Sequence, residues 1–229
     1  QLTSVTYPDG LITHYSYDAA GNRISTVEGP LTTPYTTNNV NQYTDVGGVT
    51  FEYDANGNLI RRVEGVNVTT YEYNYENRLV RVTSPEGTWD YSYDALGNRI
   101  GMTENGNQIR YSVDPLGLGD IVAEYDISGS LISRYTHGTG LISKIDTAGN
   151  EYYYHFSNVG TTMEITDSHG AIVNYYQYDP FGGYRNRSES IKNPFCYVGE
   201  YGVMDDANGL YFMRMRFYSS ELGRFIATD

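Results

Sequence analysis

Apolar and polar residues alternate in short stretches along the chain, and turn-forming residues separate these stretches. The run Tyr15–Tyr17 has an aromatic residue at every second position and is followed directly by Asp18-Ala19-Ala20-Gly21. Strand-favouring residues, including Ile24, then resume. Alternation with a period of two is typical of β-strands. Asp at the first turn position and Gly at the last suit a type I turn that ends in a left-handed residue. The pattern therefore predicts a β-hairpin.

The same hairpin pattern recurs through the whole sequence. Its clearest other copies are Phe51–Ile60 and Tyr91–Ile100. The Asp-x-x-Gly signature stands at Asp18/Gly21, Asp54/Gly57, Asp94/Gly97, Asp114/Gly117, Asp126/Gly129, Asp146/Gly149, Asp167/Gly170, Asp179/Gly182 and Asp206/Gly209. Two further copies, Asn38/Asn41 and Asn74/Asn77, carry Asn at both ends, because Asn also caps turns and tolerates the left-handed conformation. We therefore predict an array of repeats, which is regular up to Asp146 and irregular beyond it.

The array predicts an all-β fold of antiparallel hairpins. No stretch has the pattern of a long amphipathic helix, and the segment Ser190–Gly199, which contains Pro194, is predicted to be irregular. The run Gln1–Val5 matches Gln42–Val46, so we expect the chain to start inside a repeat, as a fragment of a longer array with an uncovered edge.

Composition narrows the possible functions. The 25 Tyr and 25 Gly, with only 39% hydrophobic residues, suit a thin sheet with many turns. The net charge of −13 argues against nucleic acid and against anionic membrane surfaces as partners. No apolar run approaches the roughly 20 residues of a membrane span. Cys196 is the only cysteine and is expected to pack as a small apolar residue.

The chain resembles the Rhs/YD-repeat proteins of bacteria, which are relatives of the C subunits of insecticidal toxin complexes and, more distantly, of teneurins. The Tyr-Asp repeats carry part of this resemblance. The more specific part begins at Tyr152 and resembles the Rhs-associated core domain. Its matching stretches are Tyr154–Gly160, Tyr178–Gly182, Gly209–Tyr218 and Leu222–Ile226.

The resemblance implies a hairpin ribbon that spirals into a hollow shell around a C-terminal toxin segment. It implies two domains, a YD-repeat hairpin array at 1–151 and a core domain that plugs the shell at 152–229. The implied partners are the remainder of the shell and the toxin segment. The implied location is outside the producing bacterium or on its surface, reached through a dedicated delivery system. With 229 residues, the chain would supply only the last turns of such a spiral.

The resemblance also implies candidate catalytic residues, because some family members release the toxin by aspartyl self-proteolysis just after the core. Asp205, Asp206 and Asp229 are the candidate carboxylates, and two carboxylates held close together can share one proton and hydrolyse an amide. Arg216 and Arg224 match core arginines and are candidates to orient a carboxylate. The alternative is that Asp206 caps one more turn and that the arginines hold strands together.

Other residues are assigned structural roles or none. The predicted structural turn residues are Asp18, Gly21, Asp54, Gly57, Asp94, Gly97, Asp179 and Gly182. The spacing Asp54-x-Asn56-x-Asn58 resembles the start of a calcium loop, but position 65, where an acidic ligand is required, is Gly65. We predict no metal and no cofactor. Two other functions stay open: a cell-surface adhesion or wall-associated module that binds carbohydrate or protein, and a self-cleaving aspartyl protease.

Overall fold

The computed structural model describes residues 1–116 and 119–228. The chain folds into two compact units, which divide between Tyr71 and Glu72. In both units most strands pair antiparallel with the next strand along the chain, as the alternating pattern requires. The prediction of an all-β hairpin ribbon is therefore confirmed.

The first unit is a meander of short strands. Its tyrosines link neighbouring strands through their hydroxyl groups: Tyr17 donates to the carbonyl of Leu2, and Tyr53 donates to the carbonyl of Tyr43. The strands are β1 (Ser4–Thr6), β2 (Ile12–Tyr17), β3 (Arg23–Glu28), β4 (Leu31–Thr37), β5 (Tyr43–Val46), β6 (Val49–Tyr53), β7 (Leu59–Glu64) and β8 (Asn67–Tyr73), the unit boundary falling within β8.

The second unit contains a meander of its own and a small separate sheet. The meander strands are β9 (Leu79–Ser84), β10 (Gly87–Tyr93), β11 (Arg99–Glu104), β12 (Asn107–Val113), β13 (Ile121–Asp126), β14 (Leu131–His137), β15 (Leu141–Asp146), β16 (Glu151–Phe156), β17 (Thr162–Asp167), β18 (Ile172–Tyr178) and β19 (Tyr184–Glu189). A 3₁₀ turn (Gly199–Tyr201) leads into the small sheet of β20 (Met204–Asp205), β21 (Leu210–Met213), β22 (Arg216–Ser219) and β23 (Arg224–Phe225). Among the described residues, no helix has the length and apolar character needed to cross a bilayer.

The turns of the repeat share one geometry. In the turn after β2, the Gly21 amide donates to the carbonyl of Asp18 at 3.1 Å, and the Asp18 carboxylate accepts the amide of Asn22 at 2.8 Å. Gly21 has a φ of 88°, which a residue with a Cβ adopts at a cost. Asn41 and Asn77 fill the same position with φ values of 63° and 57°. Asn therefore does replace Gly at this turn position.

Within the second unit, the Asp-x-x-Gly signature moves from one edge of the meander to the other. Asp94 and Asp114 directly follow β10 and β12, at one edge of the second meander, and Gly117 of the predicted Asp114 turn lies outside the described residues. The turns that begin at Asp126 and Asp146 follow β13 and β15 and lie on the opposite edge. Two consecutive signatures that start 20 residues apart are separated by two strands. Asp114 and Asp126 start only 12 residues apart and are separated by one strand. The regular array therefore changes phase at β13, ahead of the irregular spacing beyond Asp146.

Two turns of the same geometry were not predicted from the sequence. Gly10 donates to the carbonyl of Tyr7 at 2.9 Å, and Gly160 donates to the carbonyl of Ser157 at 3.0 Å. Both begin with a residue other than Asp or Asn, so the signature used to find the repeats missed them. The Ser157 turn explains part of the irregular spacing, because one repeat there has exchanged Asp for Ser, another residue that favours the first turn position.

One face of the second meander is buried and rich in tyrosine. In successive Tyr-x-Tyr pairs, or in the pairs that replace them, the first tyrosine is buried. These tyrosines are Tyr91, Tyr111, Tyr135, Tyr154 and Tyr176. This face meets the C-terminal segment. Phe195 packs on Tyr135, Phe217 packs on Tyr91, and Phe212 packs beside Phe217. The pairing of consecutive strands continues past residue 152 to β19, and the domain boundary at 151/152 stays a prediction.

Candidate functional site

The turn that begins at Asp206 differs from the other Asp-x-x-Gly turns. In the Asp94 turn, the Asp94 carboxylate accepts the amides of Leu96 and Asn98 at 2.9 and 2.8 Å. In the Asp206 turn, Asp205 instead accepts the amide of Ala207 at 2.8 Å. The Asp206 carboxylate is thereby free of the usual capping role and points into the protein.

The Asp206 carboxylate forms a buried ion pair. Oδ2 of Asp206 lies 2.6 Å from Nη1 of Arg99, and the two side chains are 1% and 0% exposed. Arg99 belongs to β11, at the position that directly follows Gly-Asn in the repeat. The pair therefore joins a repeat strand to the turn between β20 and β21.

Aromatic rings surround the guanidinium of Arg99. The ring centres of Phe212, Tyr111 and Tyr91 lie 4.0, 5.4 and 5.5 Å from its central carbon. Nη2 of Arg99 contacts the sulfur of Met204 at 3.0 Å. The hydroxyl of Tyr91 accepts a hydrogen bond from the Asn208 side chain at 2.8 Å, which ties the same turn to β10. Rings of this kind attract a cation through their faces, so the cage favours a charged arginine.

Burial and charge act in opposite directions on this pair. Burial raises the pKa of Asp206 above its ordinary value, and the charge and hydrogen bond of Arg99 offset part of that rise. Burial is the largest single effect on Arg99 and opposes its charged form, but the charge and hydrogen bond of Asp206, together with Tyr111 and Tyr91, outweigh it, so the pKa of Arg99 lies above its ordinary value. Burial also raises the pKa values of Tyr91 and Tyr111, so both stay neutral at neutral pH.

The neighbouring carboxylate, Asp205, has different partners. Its Oδ2 accepts a hydrogen bond from the Tyr184 hydroxyl at 2.7 Å and lies 3.8 Å from Nη1 of Arg187. Arg187 also pairs with Glu189 at 2.9 Å. The side chain of Asp205 is 12% exposed. Two adjacent carboxylates thus lie in distinct environments, one buried against Arg99 and one hydrogen-bonded at the edge of the cavity described next.

A cavity of about 90 Å³ lies between the buried face of the meander and the C-terminal segment. Its size suffices for several water molecules. Its wall includes Glu124, which is buried and whose pKa burial raises. The lining residues with ionisable side chains are Glu104, Tyr111, Glu124, Arg187, Glu189, Lys192, Asp205 and Asp206. Acidic groups therefore outnumber basic ones around a cavity that Asp205 and Asp206 both border.

The remaining predicted catalytic residues are placed as follows. Asp229 lies outside the described residues. Arg216 lies on β22, with its guanidinium carbon 3.8 Å from the centre of the Phe225 ring, and Arg224 lies on β23. The arginine that contacts Asp206 is Arg99. The supporting roles of Arg216 and Arg224 stay predictions. Among the described residues, no group of three or more His, Cys, Asp or Glu side chains is arranged to hold a metal ion.

Sequence reasoning missed Arg99, although a signal was available. The repeat position after Gly-Asn, or its equivalent, is buried in the first five copies, as Arg23, Tyr43, Leu59, Leu79 and Arg99. Leucine at this position fits a core site, whereas arginine there requires an anion or aromatic rings around it. Comparing the copies would therefore have identified Arg99 as a buried cation, but it would not have identified Asp206 as its partner.

Comparisons with known proteins agree with this fold. The model of the teneurin YD-shell family matches residues 1–229. The tRNA3(Ser)-specific nuclease WapA of Bacillus spizizenii is 34% identical over 242 residues, covering 100% of this chain and 10% of that protein. Human teneurin-4 is 26% identical over 239 residues, covering 100% of this chain and 8% of that protein. The chain thus spans about a tenth of the length of these curated relatives.

Solved structures show the same fold. A crystal structure of TcdB2-TccC3-Cdc42 matches 99% of this chain and 16% of that chain, with a TM-score of 0.53 and 15% sequence identity. A crystal structure of TcdB2-TccC3 without its hypervariable C-terminal region matches with a TM-score of 0.51, 14% identity and the same coverage. At this identity the likeness concerns the fold.

Proposed function

Because the chain belongs to the teneurin YD-shell family, we propose that it is part of the wall of a hollow β-shell that encloses and delivers a C-terminal toxin. The observation that carries this proposal is the ribbon of consecutive antiparallel strands with one buried tyrosine-rich face. Such a ribbon is one layer thick, and a one-layer sheet can form a wall but offers little interior of its own. The C-terminal sheet would then act as a plug against this wall.

The partners and the location of the protein follow from the same proposal. The remainder of the shell would supply the neighbouring ribbon turns, and the toxin segment would lie inside. Two relatives from Bacillus species are named as tRNA nucleases, so a nuclease is the first cargo to test. We propose that the protein acts outside the producing bacterium or at its surface.

Electron microscopy of the complete gene product tests the shell proposal. The expected result is a closed hollow particle that includes this ribbon in its wall and contains density for an enclosed segment. An open, extended array without an interior would contradict the shell. That result would favour the alternative of a cell-surface adhesion module, which binding to carbohydrate or to cell surfaces would then test.

Self-cleavage by an aspartyl pair is the second candidate function. The observation that favours it is that Asp206 is not used to cap its turn and borders a cavity together with Asp205. In the proposed reaction, an ionised carboxylate takes a proton from water as the water oxygen attacks the peptide carbonyl. A protonated carboxylate gives its proton to the leaving nitrogen as the C–N bond breaks. The products are a new C-terminal carboxylate and a new N-terminal amine, and no other reactant is needed.

Expression of the chain together with the residues that its gene encodes after Asp229 tests this candidate. The expected result is a split into two fragments that Asp206→Asn and Asp229→Asn each abolish. Cleavage that persists in both variants would show that these aspartates are not the catalytic pair. Absence of cleavage in the unmodified protein would leave the shell proposal standing and remove the protease.

A further inference from the structure

The ion pair between Arg99 and Asp206 joins two residues that lie 107 positions apart in the sequence. Both side chains are shielded from water. Removing two charges from water costs several kcal/mol per ion, and a well-packed apolar pair of similar volume often gives equal or greater stability. Stability alone therefore does not account for a charged pair at this place, and the pair requires another explanation.

The turn around Asp206 is built so that this carboxylate stays available. Asp205 accepts the amide of Ala207, and Asn208 accepts the amide of Leu210 at 3.2 Å, so the turn is capped without Asp206. In the ordinary turns of this chain, such as that of Asp54, the first aspartate does this work itself. The Asp206 turn keeps the bond from its first amide to the carbonyl of Leu210 and the positive φ of Gly209, but it differs in the positive φ of Ala207 and directs its first carboxylate inward.

We infer that Arg99 is the positioning residue of Asp206: it holds the carboxylate in one orientation beside the cavity and keeps it ionised, as the base of the self-cleaving pair. This inference rests on the proposed self-cleavage. It assigns a role in processing to a repeat strand, far from the chain end where the cut would occur. Asp206 would accept the proton of the attacking water, and a second carboxylate would protonate the leaving nitrogen.

Within the described part of the chain, Arg99 is the cation in direct contact with Asp206, and the other charged groups nearby have other partners. Arg187 faces Asp205 and Glu189. Tyr91 and Tyr111 are neutral, because burial raises their pKa values. The remaining ionisable groups that face the cavity are Glu104 from β11, Glu124 from β13 and Lys192 from the segment before β20. Burial and the negative charge of Asp205 disfavour ionisation of Asp206, and Arg99 is the largest of the groups that favour it.

The inference predicts the direction in which Asp206 titrates when Arg99 is changed. An opposite charge at this distance lowers the pKa of an aspartate by about one to three units. In the Arg99→Gln variant the carboxylate should therefore titrate about one to three units higher than in the unmodified chain. Arg99→Lys keeps the charge without the planar fork, so its shift should be below about one unit.

The first experiment measures this titration in the 229-residue chain by NMR of the Asp206 side-chain carboxyl carbon. Arg23→Gln is the matched control, because Arg23 occupies the same repeat position in the first unit, is buried, and lies 4.4 Å from the ring centre of Tyr35. The control should leave the Asp206 titration unchanged. Should Arg99→Gln fail to fold, the comparison rests on Arg99→Lys, for which any upward shift supports the inference. Equal Asp206 titration in the unmodified, Arg99→Lys and, where folded, Arg99→Gln chains would overturn it.

The second experiment follows self-cleavage of the extended chain against pH. In Arg99→Gln, the rising limb of the rate should move to higher pH by the same one to three units, because the base form of Asp206 then requires a higher pH. In Arg99→Lys, the rising limb should stay at nearly the original pH while the cleavage rate falls. Arg23→Gln should change neither the pH of the limb nor the rate. An unchanged limb in Arg99→Gln would contradict the role of Arg99. If the unmodified chain does not cleave, self-cleavage fails, while the NMR titration still decides whether Arg99 controls Asp206.

Discussion

At the scale of single residues, the most informative choice in this sequence is Arg99, at a buried repeat position that two other copies fill with leucine. Leu59 and Leu79 fill the buried position directly, whereas Arg99 fills it only with Asp206 and three aromatic rings around it. A buried charge without its partner is far more costly than a buried pair. The stability effects of changing one partner or both should therefore differ strongly.

Removing one partner of the pair should destabilise the protein much more than removing both. We expect Arg99→Met to lower the free energy of unfolding by about 3–5 kcal/mol, because Asp206 is then buried without a counter-charge. The double variant Arg99→Met with Asp206→Leu should recover most of that loss. Chemical denaturation of the three proteins measures this. A double variant no more stable than Arg99→Met would show that packing, and not the isolated charge, causes the loss.

The turn aspartates give the protein a defined response to acid. The hydrogen bond from Asn98 lowers the pKa of Asp94 below its ordinary value of 3.8, and the turn amides add to this. The pKa values of Asp18, Asp126, Asp146 and Asp167 are lowered in the same way by side-chain or main-chain hydrogen bonds. A group with a lowered pKa stabilises the folded state above its ordinary pKa and loses that effect as the pH falls through the folded value. Stability should therefore decline below about pH 4.

Replacing one of these aspartates with asparagine tests this account. Asn74 caps its turn by accepting the amides of Glu76 and Arg78, so Asp94→Asn should keep the turn at neutral pH. Its melting temperature should fall less steeply between pH 4 and pH 2 than that of the unmodified chain. Thermal unfolding followed by circular dichroism at several pH values measures the slope. An unchanged slope would show that Asp94 does not contribute to the acid response.

At the scale of elements, the hairpin and its turn are the unit that repeats. The turn requires a residue with positive φ at its fourth position, and glycine or asparagine meets that requirement. Gly129 has a φ of 83° and no atom within 4 Å of the place where a Cβ would lie. Substitution there therefore measures backbone strain without a steric clash.

Gly129→Ala should lower the free energy of unfolding by about 1–2 kcal/mol, because alanine disfavours the left-handed conformation. Gly129→Asn should cost clearly less, as Asn41 and Asn77 occupy the same position in the native chain. Urea denaturation of the two variants gives the comparison. Equal losses would mean that the turn does not select its fourth residue by φ.

The elements were predictable from sequence to the extent that local chemistry determines them. The hairpins followed from alternation and from turns such as Asp18–Gly21, because both depend on residues close in sequence. The turns at Tyr7 and Ser157 were missed because their first residue is neither Asp nor Asn. The change of edge at β13 was also missed, since it depends on counting strands rather than signatures. The contact between Arg99 and Asp206 could not be predicted, because it depends on how the C-terminal sheet folds back onto the meander.

At the scale of the whole molecule, the second unit combines a wall and a covering segment. The C-terminal sheet packs on the buried face of the meander through Arg99 and Asp206, and through Arg214, which pairs with Asp120 at 2.8 Å. These contacts would hold a plug in place at the end of a shell. A plug of this kind matters for function only if something lies behind it that must stay separated from the surroundings.

Limited proteolysis of the complete gene product tests that central claim most directly. The account predicts that the segment encoded after Asp229 resists a protease at concentrations that rapidly degrade the same segment expressed alone. A single variant that breaks the plug contact, Asp206→Ala, should make the segment sensitive. Digestion of the segment at the same rate in the complete protein and in isolation would contradict the proposal that this chain helps to enclose it.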